Sequence, residues 1–300
     1  MKKLIILCLG ITLFSCNSTK EEKTKENTQK IGIILVNHGS VSETWRNMLL
    51  DMEDQVEAAI LKNPLIGDVK TAFMEYNEPS IATRLKEYDA EGYTDVIIVP
   101  VFLTVSSHYS HDIPVIAGIS SDPKIQEELA KEKIEVYNPK ANVTITPPLN
   151  YTTLLKKNIE RRVMALSESA ENEAILLVAY GDEQYNQQWE EMVEEIGKYL
   201  KFKTGHESIA YAWCGHIVRY SSEPTTEGIE QLLKLEDNVI VIPVLVANDE
   251  FFQGEIIQNG VDASSNTSAV KYKQDALLPD ENLNAWVIDI TNQTVENINK

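Results

Sequence analysis

The sequence predicts an α/β protein built from two tandem domains, each a parallel sheet flanked by helices. Three observations carry that expectation. The segments KIGIILVNHGS (30–40), TDVIIVPVFL (94–103) and EAILLVAYGD (173–182) are continuous apolar, β-branched runs, as in strands buried on both faces. Stretches of helical period lie between such runs, the alternation that builds a parallel sheet covered by helices. The whole pattern then repeats. From His38 to Pro100 is 62 positions and from Tyr180 to Pro243 is 63; from His38 to Pro79 is 41 and from Tyr180 to Pro224 is 44.

The elements follow in order. After the first strand, SETWRNMLLDMEDQVEAAILKN places Trp45, Leu49, Met52, Val56 and Ile60 at helical spacings of three and four. DVKTAFMEY (68–76) is a second strand. EPSIATRLKEYDAEG is a helix with proline near its start and Gly92 at its end. After the third strand, an Asp-Ile-Pro at 112–114 looks like a helix start, and PKIQEELAKEK continues in helical character. ANVTITPPL is a short fourth strand, and NYTTLLKKNIERRVMALSES is a long helix. The first domain is therefore expected over 30–150, a connecting helix over 151–170, and the second domain over 171–300.

The first residues stand apart from the fold. MKKLIILCLGITLFSC has two lysines, an apolar stretch too short for a typical membrane span, a small residue and Cys16. Residues 1–16 are expected to be a secretory signal, and LFSC resembles the lipobox of bacterial lipoproteins. Cys16 would then carry lipid, each buried CH₂ anchoring it by about 0.8 kcal/mol. Residues 17–29 carry many charges and no large apolar side chain, so a disordered tether is expected. The protein is expected to be exported and lipid-anchored to a bacterial membrane, on the periplasmic side or the cell surface. With Cys8 in the signal, Cys214 is alone in the domains and reads as a small buried hydrophobe.

The formal net charge of −19 argues against nucleic acid as a partner. It is compatible with binding cations, or simply with a solvated acidic surface. Neither the GxGxxG fingerprint nor a P-loop occurs, so no nucleotide is expected, and no serine nucleophile elbow is present.

In such sheets ligands bind beyond the carboxyl ends of the strands. His38, Glu75 and His108 stand there after the first, second and third strands. Two imidazoles and a carboxylate suit a divalent metal such as Fe, Co, Ni or Zn, with positions left open for a substrate. In the second half Tyr180 stands where His38 stood and Phe251 where His108 stood, so one half is expected to carry chemistry and the other to shape the cleft. Asp182, Asp249 and Glu250 could bind a cation but read better as a solvated loop. His206 is expected to be exposed. His216 could point into the cleft. His111 could be an auxiliary ligand, a proton acceptor or an exposed helix-start residue.

The motifs NHGS, AFMEYNEPSI and VIIVPVFLTVSSHYSHDIP together resemble the class II tetrapyrrole chelatases, the sirohydrochlorin and cobalt chelatases. The resemblance covers residues 31–150 well and the second half as a degenerate copy, as in two-domain members. It implies tandem flavodoxin-like (chelatase-like) domains and ATP-independent insertion of Co²⁺ or Fe²⁺, as substrate metal, into a sirohydrochlorin-like or haem-like tetrapyrrole. It places the metal-binding and catalytic roles on His38, Glu75 and His108. Ser40, Ser106, Ser107 and Tyr109 lie beside them as candidate ring contacts, and Arg84 and Arg219 as candidate carboxylate partners. Export sits oddly with a biosynthetic enzyme, since this family is mostly cytoplasmic. The same cleft could instead capture haem, a corrinoid or a metal without turnover, or hold a vestigial site.

Overall fold

The computed structural model describes residues 29–149 and 153–300. The expected signal, Cys16 and the tether as far as residue 28 lie outside the described residues, as do residues 150–152. Among the described residues, no helix is long and apolar enough to cross a membrane.

The first half runs β1 (Ile31–Asn37), α1 (Glu43–Ile60), β2 (Ile66–Phe73), α2 (Ile81–Ala90), β3 (Asp95–Pro100), α3 (Ile113–Ile116), α4 (Pro123–Lys131) and β4 (Asn142–Ile145). The second runs α5 (Thr153–Leu166), β5 (Glu173–Ala179), α6 (Asn186–Thr204), β6 (Ile209–Trp213), α7 (Glu223–Leu232), β7 (Asn238–Val244), α8 (Gln258–Asp262), β8 (Val270–Tyr272) and α9 (Glu281–Ile298). The sheet orders are β2-β1-β3-β4 and β6-β5-β7-β8, with every neighbouring pair parallel. The repeat in the sequence is thus a repeat in topology. Every residue of β1, β3 and β5 is buried, which is why these strands carry no polar alternation.

α1 buries Leu49, Met52, Val56 and Ile60, and its N-cap Ser42 accepts the Trp45 N–H at 3.1 Å. Both halves turn into a wide π-helical segment after their third strand, His108–Asp112 and Glu250–Ile257. The helix after β3 therefore begins a turn before the expected Asp-Ile-Pro start, and Asp112 makes no capping bond.

The helix that follows each four-stranded sheet packs on the other half. α5 packs on α6 and β7, whereas the last helix, α9, returns to pack on α1 and β3. Asn63 and Asn284 bond across that return, to Asn292 at 3.1 Å and Gln55 at 2.6 Å. One apolar core consequently runs through both halves, from Ile33, Leu35 and Ile97 to Ile175, Leu177 and Ile242, closed by Val163 and Val287. The boundary expected at 170/171 does not anticipate this, because the last helix covers the first sheet.

Two sequence expectations are settled here. Cys214 is buried, and burial pushes its thiol up to about 12. His206 is not exposed but fully buried. Gly205, at a left-handed φ of +80°, ends α6 and turns the chain inward. The ring then sits with Nδ1 2.8 Å from Thr204 Oγ1 and Nε2 3.6 Å from a Glu173 carboxylate oxygen.

Candidate metal centre

The backbone brings the three donors together before any side chain does. His38 is the first residue beyond β1, and β1 pairs with both β2 and β3. The β1–β2 ladder continues past the strands, with Met74 N–H bonding Asn37 O and Glu75 N–H bonding His38 O, both at 2.8 Å. Gly39 makes that approach possible. Its φ is +103°, and a Cβ there would lie 2.0 Å from the Glu75 carbonyl oxygen. His108 opens the π-helical segment after β3.

One donor atom from each of His38, Glu75 and His108 lies within 4.8 Å of the others. The imidazole centroids are 4.8 Å apart, edge to face at 70°. His38 Nδ1 is 3.0 Å from Gly39 O, and His108 Nδ1 is 2.7 Å from Asp112 Oδ2. A carbonyl and a carboxylate only accept, so both Nδ1 atoms carry the proton and both Nε2 lone pairs are left for a metal. Burial holds His38 below the ordinary imidazole value, and the nearby charge of His108 lowers it further. Burial also works against charge on His108, but the hydrogen bond and charge of Asp112 outweigh it and hold this ring above the ordinary value. Two imidazoles in contact are thus split, one easily neutral and one readily protonated.

His38 and His108 line a cavity of about 390 Å³ between the halves. The first half contributes His38, Trp45, Tyr76, Phe102 and His108, and the second Tyr180, Trp189, His216, Tyr220, Phe251 and Phe252. Tyr180 lies 5.5 Å from both His216 and Phe252, and Phe251 lies 5.9 Å from Tyr220, centroid to centroid. A slot walled by aromatic faces and two imidazoles, with the Glu75 carboxylate within 4.8 Å of both rings' donor atoms, suits a flat conjugated ring above a metal.

The other expected residues divide. Ser40 and Ser106 line the cavity, but their hydroxyls are engaged: Ser40 donates to Asp249 at 2.7 Å, and Ser106 accepts the Tyr109 N–H at 3.2 Å. Ser107 donates its hydroxyl to Asp182 at 2.8 Å and does not line the cavity. Tyr109 packs against the outer core around Ile113 and Phe102, because neighbours on a helical turn face different ways. Arg84, in the first turn of α2, bonds Glu87 at 2.9 Å and the Thr71 carbonyl, and neither it nor Arg219 is in the cavity wall. His111 Nε2 meets Tyr185 Oη at 3.0 Å and Gln184 Nε2 at 3.2 Å, bridging to the second half. His216 does line the cavity.

Asp182 and Asp249 are not a solvated loop. They are 4% and 6% exposed, and both accept hydrogen bonds from the first half. Glu250 accepts from Ser42 and Thr44, both at 2.5 Å. Sequence reasoning missed most of the aromatic wall, which is scattered from Tyr76 to Phe252 without a motif. It also missed the counterpart of Glu75. Gly215 N–H bonds Tyr180 O at 3.0 Å, as Glu75 N–H bonds His38 O, so the second half has lost all three donors.

Comparison with known proteins gives the family. The CbiX family model matches residues 32–166. The sirohydrochlorin cobaltochelatase of Methanococcoides burtonii is 31% identical over 137 residues, 46% of this chain and 97% of that protein. That of Saccharolobus solfataricus is 26% identical over 133 residues, 44% of this chain and 93% of that protein. In fold, the chain is similar to the sirohydrochlorin chelatase SirB from Bacillus subtilis subspecies spizizenii in complex with cobalt, with TM-score 0.61 and 16% identity over 90% of this chain and 97% of that one. SirB from Bacillus subtilis with Fe³⁺ gives TM-score 0.63 and 16% identity over 89% and 96%. The chain belongs to the CbiX family, the class II tetrapyrrole chelatases, and has the two-domain α/β fold of the SirB structures.

Proposed function

We propose that this protein inserts Co²⁺ or Fe²⁺ into a sirohydrochlorin-type tetrapyrrole without ATP. The observation that carries the reading is the His38–Glu75–His108 donor set, within 4.8 Å, at an aromatic-walled cavity between the halves. The metal is substrate, held by the two Nε2 atoms and a Glu75 oxygen with positions open toward the ring. Asp112 and Gly39 O orient the imidazoles from behind. As metal–nitrogen bonds form, two ring N–H bonds break and two protons leave. The Glu75 carboxylate and an imidazole freed from the metal are the bases within reach. The relatives' names support this reaction and these metals.

The site carries over to an exported setting. LFSC ending at Cys16 supports a lipid-anchored protein, with a tether reaching to the domain. Metabolic labelling with an alkyne fatty acid tests this: label lost in Cys16→Ala supports the anchor, and label retained contradicts it. Export also favours a second reading, in which the same cleft captures a haem-like ring or a metal for uptake. Incubating the chain from residue 29 onward with sirohydrochlorin and Co²⁺ or Fe²⁺, followed by visible absorbance, separates the two. Multiple turnovers, lost in the His38→Ala, His108→Ala double variant, establish the chelatase. Tight ring binding without turnover establishes capture.

A further inference from the structure

The half that has lost its metal donors keeps two buried carboxylates, and both reach across to the loops that carry the histidines. Asp182 Oδ2 accepts the Ser107 backbone N–H at 3.1 Å and the Ser107 hydroxyl at 2.8 Å, one residue before His108. Its other oxygen is fixed by the backbone N–H groups of Gln184 and Tyr185, at 3.0 and 2.9 Å. Asp249 Oδ2 accepts the Ser40 hydroxyl at 2.7 Å, two residues after His38, while Oδ1 accepts the Phe251 N–H at 2.9 Å. Each carboxylate thus holds its own half with one oxygen and the facing half with the other. The two contacts are related by the repeat to within one residue. Asp182 lies two residues after Tyr180 as Ser40 lies two after His38, whereas Asp249 lies six after Pro243 and Ser107 seven after Pro100. The Trp189 indole N–H adds a third tie, donating to Val105 O at 3.1 Å.

We propose that Asp182 and Asp249 are positioning residues for metal insertion, through which the second half sets the placement of His108 and His38. This rests on the chelatase reading. Within the first half the extended ladder ties His38 to Glu75, whereas the start of the segment that carries His108 is held from the facing half. Anchors in the facing half tie ligand placement to closure of the cleft around the ring, so the metal is best held when the slot is formed. Charge-assisted bonds to buried carboxylates are suited to that role.

Full-length protein in detergent, with Co²⁺ alone as the probe, tests the proposal. Wild type, Ser107→Ala, Asp182→Ala, Asp182→Asn, the Ser107→Ala, Asp182→Ala pair, and Asp249→Ala would be compared by Co²⁺ Kd, the Co²⁺ ligand-field spectrum, and kcat and KM for sirohydrochlorin. Loss of an outer partner typically weakens metal sites 10- to 100-fold. Asp182→Ala is expected to raise the Co²⁺ Kd about tenfold or more, change the spectrum and lower kcat, with ring KM within about twofold. Ser107→Ala should move both in the same direction, the pair should lose no more than Asp182→Ala alone, and Asp182→Asn, whose NH₂ must face N–H donors with one end of the amide, should recover only part of the loss. Unchanged Kd and spectrum in Ser107→Ala and Asp182→Ala, or fully additive losses, would overturn it. If Asp182→Ala does not fold, Ser107→Ala decides alone. Wild type that binds Co²⁺ no better than its variants removes only the positioning role; wild type that binds no Co²⁺ removes the chelatase site with it.

Discussion

Where the first half places His38, Glu75 and His108 beyond β1, β2 and β3, the second places Tyr180, Gly215 and Phe251 beyond β5, β6 and β7. Around these exchanged side chains the backbone is retained. A left-handed glycine follows each first strand, Gly39 at +103° and Gly181 at +80°. The same N–H to carbonyl bond ties each first loop to the second, and each third strand runs into a π-helical turn. Features common to both halves are what the fold requires, and features of one half are what the chemistry requires. Gly215 also shows why the loss is not simply reversible. A Cβ there would lie 2.5 Å from Tyr180 O, so the second half has closed into the space a glutamate would need.

The sharpest way to break this comparison is to remove the donors. His38→Ala with His108→Ala should abolish insertion, a fall of at least about 10³ set by loss of the metal's ligands, whereas His216→Ala, on the opposite wall, should retain turnover. Parallel turnover assays check both.

A smaller effect separates the glycines. Gly39→Ala meets the Glu75 backbone in a left-handed conformation and should both destabilise the fold, by about 1–3 kcal/mol from conformation alone, and unseat the donors. Gly92→Ala, at φ +74° with nothing within 4 Å, should cost stability and leave Co²⁺ affinity of the folded protein intact. Denaturant melts beside Co²⁺ titrations distinguish them.

The pH dependence comes next. His108 is held above the ordinary imidazole value of about 6.5, and metal binding must displace that proton. Co²⁺ affinity should therefore weaken as pH falls through the raised value and level off above it. Asp112→Asn removes the charge that raises it, so the acid limb should move to lower pH, while the plateau affinity falls about 10- to 100-fold for want of the oriented ring. Titrations from pH 5.5 to about 8.5 read both changes, around the reference value for histidine. The smallest effect is expected from Arg84→Ala, which breaks a surface pair with Glu87 and should change turnover less than about twofold.

The fold was legible because its strands are buried on both faces and its repeat keeps spacing to within a few residues. The meeting of His38, Glu75 and His108 was legible because all three lie just beyond strand ends on one edge of one sheet. His206 was misplaced because nothing local shows that Gly205 turns the chain inward. The destination of α9 was not legible either, since an apolar face such as Leu283, Val287 and Val295 does not say which sheet it covers. The interdomain carboxylates were taken for solvated charges because their partners, Ser40 and Ser107, lie in the other half of the chain.

The central claim is that all metal donors come from one half. X-ray absorption of Co²⁺-loaded protein tests it most directly. One Co²⁺ per chain with two imidazoles and carboxylate oxygen in its shell, imidazole scattering lost in the His38→Ala, His108→Ala variant and kept in His216→Ala, is the predicted result. Imidazole scattering that persists in the double variant and disappears in His216→Ala would contradict it.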